Sequence, residues 1–198
     1  MIVAAWPRSG GTKFCIDLSE KTGLPFIGEL KGGFVEELGA PLQLKKTLHE
    51  AKHGDVYTID QFFEYTENPD KYVILGNDLH WSILKNASIF VFRKNPRNTL
   101  TSLANMMCKT LPVALSEDTK YGMIMSVMRM TLENMYISVR HYEKYGGELV
   151  WYEEYFNNKP TNTVDLDRLE KSQHVYGAID HMISSIDINE RLKGICNE

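Results

Sequence analysis

The chain has no apolar run that approaches the ~20 residues a helix needs to cross a bilayer. Apolar residues suited to a core strand follow Met1 at once, so no cleavable signal segment is expected. Cysteine is scarce: Cys15, Cys108 and Cys196 are widely spaced, odd in number and form no Cys-x-x-Cys pair. They read as free thiols of a reducing, cytoplasmic compartment, with no zinc site and no metal expected. There is no surplus of positive charge. A formal charge of −4 argues against a general nucleic-acid surface or an anionic-membrane surface, both of which need broad basic patches. Internal repeats and low-complexity stretches are also lacking. What remains is an ordinary globular composition, 43% hydrophobic and 24% charged over 198 residues, enough for one domain spanning 1–198 with a substantial core.

The densest information lies in the first fifteen residues. The apolar run Ile2-Val3-Ala4-Ala5-Trp6 leads into Pro7-Arg8-Ser9-Gly10-Gly11-Thr12-Lys13-Phe14. This is the pattern of a buried strand breaking into a glycine-rich turn that opens a helix. Such a turn gathers backbone N–H groups, small hydroxyls and a positive helix end at one place, where a phosphate can sit. Phe14, Ile16, Leu18 and Thr22, interleaved with Asp17, Ser19, Glu20 and Lys21, give the following helix an apolar side, and Gly23 ends it. The turn is not an ATP-type P-loop, because glycine stands where the Gly-Lys-Ser/Thr lysine should be.

A second segment has similar grammar. Ser88-Ile89-Phe90-Val91-Phe92 is a short apolar run rich in β-formers, which suits an interior strand. It ends in Arg93-Lys94-Asn95-Pro96-Arg97-Asn98, and a helical pattern continues through Leu100, Leu103, Met106 and Met107. Further on, Gly146-Gly147 precedes Glu148-Leu149-Val150-Trp151 and then Tyr152-Glu153.

Taken together these segments resemble sulfotransferases that use 3′-phosphoadenosine 5′-phosphosulfate (PAPS). Pro7, Arg8, Ser9, Gly10 and Thr12 match that family's Pro-Lys/Arg-Ser-Gly-Thr-Thr loop. Gly11 departs by losing a hydroxyl, and Lys13 stands where many members carry an adenine-packing tryptophan. The resemblance implies that Arg8 contacts the transferring sulfuryl group, and that Ser9, Gly10, Gly11, Thr12 and Lys13 line the 5′ side of the nucleotide. In the family's second segment an arginine two residues before the proline and a serine six residues after it bind the 3′-phosphate. The serine falls on Ser102. The cation falls on Lys94 by strict spacing, or on Arg93 if the strand end bulges; neighbours on an extended strand point opposite ways, so one of the two should reach the phosphate. The resemblance gives Tyr152-Glu153 a structural part, tying a late strand back to the nucleotide loop. Its matches anchor roughly residues 1–14, 88–103 and 146–156.

The resemblance also implies a base for the acceptor, just after the second core strand. Tyr72-Val73-Ile74-Leu75-Gly76 supplies that strand, followed by Asn77-Asp78-Leu79-His80. His80 has the side chain whose ordinary pKa lies nearest neutrality, while Asp78 stands closer to the aligned position. The acceptor class and the oligomeric state have no signature here.

Two other functions compete. A P-loop kinase using ATP and magnesium would gain from Asp78 after an apolar strand, and loses by Gly11 in place of lysine. A catalytically silent nucleotide-binding protein would explain the departures at Gly11 and Lys13.

Along the rest of the chain, Gly28 to Pro41 reads as a loop, Leu42 to Ala51 as helical, Val56 to Ile59 as a short strand and Asp60 to Tyr65 as a turn or helix. Ile124, Val127, Thr131, Met135, Val139 and Tyr142 predict a helix over 121–145, its methionines filling a core. One or two further helices are expected from Asp165 onward. Strands alternating with helices, and a phosphate loop after the first, predict an α/β protein: a three-layer P-loop-like fold with a central parallel sheet flanked by helices. The resemblance implies PAPS as donor and the 3′,5′-bisphosphate PAP as product, without metal.

Overall fold

The computed structural model describes residues 1–31, 34–35, 68–76, 81–157 and 172–196. The apolar runs become the centre of a sheet. Strands β1 (Ile2–Ala5), β4 (Val73–Gly76) and β5 (Ile89–Phe92) are buried along their whole length. That is the burial expected of parallel strands covered on both faces. With β2 (Phe26–Lys31), β3 (Phe34–Val35) and β6 (Glu148–Trp151) they form a six-stranded sheet in the order β3-β2-β4-β1-β5-β6. The central four strands, β2-β4-β1-β5, are mutually parallel, and β3 adds antiparallel to β2. The protein is therefore α/β with a central parallel sheet.

The described residues cluster into two compact units. The first comprises Met1–Phe92 with Tyr145–Val150, the second Arg93–Lys144 with Trp151–Glu198. In the first, alternation along the strands sorts side chains between the two faces. Val3, Ala5, Val73, Leu75, Ile89 and Val91 pack with Phe14 and Cys15 of helix α1 (Gly11–Thr22). Each such side chain removed from water contributes about 1.5–3 kcal/mol if large. The short helix α2 (Trp81–Leu84) packs so closely that a Cβ on Gly76 would lie 2.3 Å from Ile83 Cγ2. Only glycine fits there.

The expectation of a loop from Gly28 is corrected by β2 and β3. Phe26 faces Val73 but Glu29 faces Leu75, so three steps on β2 span two on β4. The register shifts between Phe26 and Glu29, a stretch that contains Gly28, and glycine inside a strand commonly marks such an irregularity. The expected elements between residues 42 and 65 lie outside the described residues.

The second unit is helical. It holds α3 (Pro96–Thr110), α4 (Glu117–Tyr145), α5 (Tyr152–Tyr155), α6 (Ser172–Ser184) and α7 (Ile188–Cys196). Helix α4 begins four residues before the periodic pattern because Ser116 caps it: Ser116 Oγ accepts from the Thr119 N–H at 3.2 Å. Its buried residues include Ile124, Met128, Leu132, Met135 and Val139. Not all its methionines fill the core, as the sequence suggested. Met128 and Met135 do, whereas Met123 and Met130 are exposed. All three cysteines are free thiols: Cys15 is buried, Cys108 half-buried and Cys196 exposed. No described helix is long and apolar enough to cross a membrane.

Candidate functional site

The first unit presents the glycine-rich loop at the C-terminal end of β1. Beyond Ala5 the ladder runs one step further, Trp6 N–H donating to Val91 O at 3.1 Å, and the Trp6 ring stacks on Phe92 with centroids 4.8 Å apart. The chain then turns sharply. Ser9 N–H and Ser9 Oγ both donate to Trp6 O, at 3.1 and 2.6 Å. Ser9 is fully buried, so its hydroxyl and amide hold the turn together. Arg8, at the apex, is exposed and adopts φ 64°, a left-handed conformation that costs a non-glycine residue about 1–2 kcal/mol. Strain of this kind is retained where neighbouring structure enforces it and concentrates at binding sites.

Gly10, at φ 75°, is the N-cap of α1, and Phe14 N–H makes the first helical bond to Gly10 O at 3.0 Å. First-turn N–H groups have no acceptor within their own helix. Gly10 offers no side chain to cap them. Gly11 is buried, while Thr12 and Lys13 are exposed beside this helix end. Lys13 is not aimed at the loop alone, since its ammonium pairs with Asp17 one turn along α1.

The sheet order gives this place its meaning. β1 and β5 are parallel neighbours, paired Val3 to Ile89, Ala4 to Phe90 and Ala5 to Val91. From β1 the chain departs toward β2 on one side of the sheet; from β5 it goes to β6 on the other. Adjacent parallel strands whose connections diverge form a topological switch point, and open α/β sheets bind ligands beyond the carboxyl ends of such strands.

The second unit begins where β5 ends. Arg93 and Lys94 do diverge as neighbours on an extended segment should. Arg93 is 1% exposed, its guanidinium carbon 4.1 Å from the centre of the Tyr152 ring. Lys94 turns outward, with Nζ 2.7 Å from Glu154 Oε1 and 6.0 Å from the Trp151 ring centre. The hydrogen bond that Lys94 donates to Glu154 pushes the ammonium pKa up. The Lys94 N–H donates to Glu153 Oε2 at 3.1 Å. Tyr152 and Glu153 thus meet Arg93 and Lys94, the residues that follow β5.

Helix α3 opens with Asn95 as N-cap, its Oδ1 accepting from Arg97 N–H at 2.9 Å, and Pro96 at the first helical position. Arg97 extends to α6, donating from Nε to Asp180 Oδ1 at 2.7 Å. That hydrogen bond holds the Asp180 carboxyl below its usual range. Ser102 is half-buried on the second turn. Three residues before it and three after it, the row continues with two side chains the sequence did not single out. Thr99 Oγ1 and Asn105 Oδ1 are buried and have no hydrogen-bond partner among the described residues. An unsatisfied buried polar atom costs about 1–3 kcal/mol, so such atoms mark places where a further partner would be accommodated. Their only sequence signal is a polar residue on the apolar side of a helix.

Asp78 and His80, the candidate bases, lie outside the described residues. Among the described residues no three His, Cys, Asp or Glu side chains group as a metal site would require.

No family model matches the chain, and no curated protein does. Among solved structures, a sulfotransferase domain from the curacin biosynthetic pathway is similar over 88% of this chain and 72% of its own, at 19% identity and a TM-score of 0.43. The functional reading rests on this chain's own residues.

Proposed function

We propose that the chain is a sulfotransferase-like enzyme that takes a sulfuryl group from PAPS and passes it to a hydroxyl or amine acceptor. The observation that carries this reading is the switch point at β1 and β5, from whose carboxyl ends the two anion-binding motifs arise. The uncapped start of α1 suits a phosphate on the N–H groups of Gly10, Gly11 and Thr12. Ser9, with hydroxyl and amide already given to Trp6 O, acts as the brace of that loop. Buried Thr99 and Asn105, with open polar atoms on the row of Ser102, fit a polar ligand on α3.

The donor supplies an activated sulfuryl group whose transfer leaves a nucleotide phosphate. Arg8 offers the permanent positive charge that stabilises this leaving oxygen, and being arginine it acts electrostatically and not as an acid. Ser102 with Arg93 or Lys94 holds the 3′-phosphate, which separates this nucleotide from ATP. His80 or Asp78 takes the acceptor's proton. The proposed activity is cytoplasmic and metal-independent.

Incubation with PAPS and a panel of hydroxyl and amine acceptors, without magnesium, tests this directly. Acceptor-dependent release of PAP, abolished in Arg8→Ala, is the expected result. ATP turnover that needs magnesium, with PAPS untouched, would instead identify a kinase.

A further inference from the structure

Asn105 belongs to a second polar line on α3 besides the one through Ser102. Residues four apart lie one above the other on a helix, with Cβ atoms about 5–6 Å apart. Thr101 and Asn105 are such a pair, and Cys108 follows about one turn further on. Thr99 stands about 200° round the helix from Thr101 and belongs to another side.

Asn105 is 3% exposed, and its Oδ1 has no hydrogen-bond partner among the described residues; the same holds for the buried Oγ1 of Thr101. A third such atom, Glu117 Oε2, sits in the first turn of α4. The other oxygen of that carboxylate, Oε1, accepts from the Lys120 ammonium at 3.0 Å. The first turn of α4 lies close to the end of the Thr101–Asn105–Cys108 line. Burial raises the Cys108 thiol pKa, and the Glu117 carboxylate adds to the rise while Lys120 opposes it.

These three atoms define the chemistry that satisfies them. Amide and carboxylate oxygens only accept, so a partner must donate, which excludes an anion. A second cation is disfavoured, because Glu117 already holds an ammonium. An apolar group would leave all three at their full desolvation cost. A small neutral donor remains. Water donates to Asn105 and Glu117 and accepts from the Thr101 hydroxyl, which matches the roughly three bonds a buried water makes.

We infer that the corner between α3 and the first turn of α4 is a binding site for buried water, which bridges Thr101 Oγ1, Asn105 Oδ1 and Glu117 Oε2. The two helices are joined there by solvent. Asn105 Oδ1 has two lone pairs, so accepting from water leaves one for a ligand on the Ser102 side.

Water–amide cross-relaxation in the isotope-labelled full chain tests this, together with thermal midpoints. Long-lived water is expected to give cross-peaks with amides of α3 around Thr101 and Asn105. Thr101→Val keeps the shape and removes the hydroxyl. In a hydrated site it loses a hydrogen bond, and the midpoint is expected to fall by about 2–4 °C. Asn105→Leu is expected to lower it too, and the double variant by less than the sum, because both side chains hold the same water. In a dry site Thr101→Val removes an unmet polar atom, and the midpoint would hold or rise. The cross-relaxation is read on the wild type, so it decides even where a variant does not fold. Absence of the cross-peaks, or a Thr101→Val midpoint that holds or rises, overturns the inference and leaves the donor reading standing.

Discussion

Trp6 and Phe92 close the carboxyl ends of two neighbouring parallel strands, their rings stacked at 4.8 Å with planes 24° apart. Each is followed by one of the two cationic motifs. The pair is fully buried. Trp6→Ala is expected to cost about 3–5 kcal/mol, since it empties a large core position. Trp6→Phe should cost much less. Denaturant unfolding of the two variants checks this, and similar losses for both would mean that the ring stack contributes little.

Arg8 carries a left-handed backbone at the loop apex. Glycine adopts that conformation without strain but loses more freedom on folding, so Arg8→Gly should be stabilising by at most about 1 kcal/mol. The same variant removes the proposed sulfuryl-contacting charge. A protein that melts higher yet no longer turns over donor is the expected outcome. A lower melting temperature would show that the Arg8 side chain holds the loop.

Gly76 leaves no room for a methyl group beneath Ile83. Gly76→Ala should therefore destabilise by about 1–3 kcal/mol, the usual cost of overpacking. Combining it with Ile83→Ala should recover part of that loss, measurable as a non-additive double-mutant cycle.

The Arg97–Asp180 pair ties α3 to α6 across the second unit. Arg97 depresses the folded Asp180 pKa, so its stabilisation is complete above the ordinary value of 3.8 and disappears as pH falls through the lower folded value. Both side chains are about half exposed, 42% and 56%, and solvent screening limits the pair to about 0.5 kcal/mol. Asp180→Asn should lower stability by about that much at neutral pH, with the gap to wild type shrinking below pH 3.8 and under high salt. A gap independent of pH would remove the ion pair as its cause.

The sequence was legible where one physical rule dominated. β1, β4 and β5 are continuous apolar runs because both their faces are covered, and a glycine pair ends α4 where expected. In the row Thr99, Ser102, Asn105, Ser102 was singled out by the family resemblance alone, whereas the burial of its neighbours depends on packing. β2 escaped because Gly28 breaks the apolar pattern within the stretch from Phe26 to Glu29 where the register against β4 slips. The choice between Arg93 and Lys94 was open for a different reason. The contacts that orient them come from Tyr152, Glu153 and Glu154, some sixty residues away, and no local pattern encodes such contacts. Ser9 suits a phosphate loop by type, yet its hydroxyl turns back to Trp6, a geometry that only the folded turn reveals.

The central claim is a donor site that requires a 3′-phosphate and no metal. Calorimetric titration with PAP, alongside ADP and ATP with and without magnesium, addresses it most directly. The account predicts metal-independent binding of PAP in preference to ADP and ATP, weakened at least about tenfold in Arg8→Ala and in Ser102→Ala, as loss of a charge-assisted hydrogen bond would give. Preference for ATP with magnesium, or no binding of any of the three nucleotides, would contradict it.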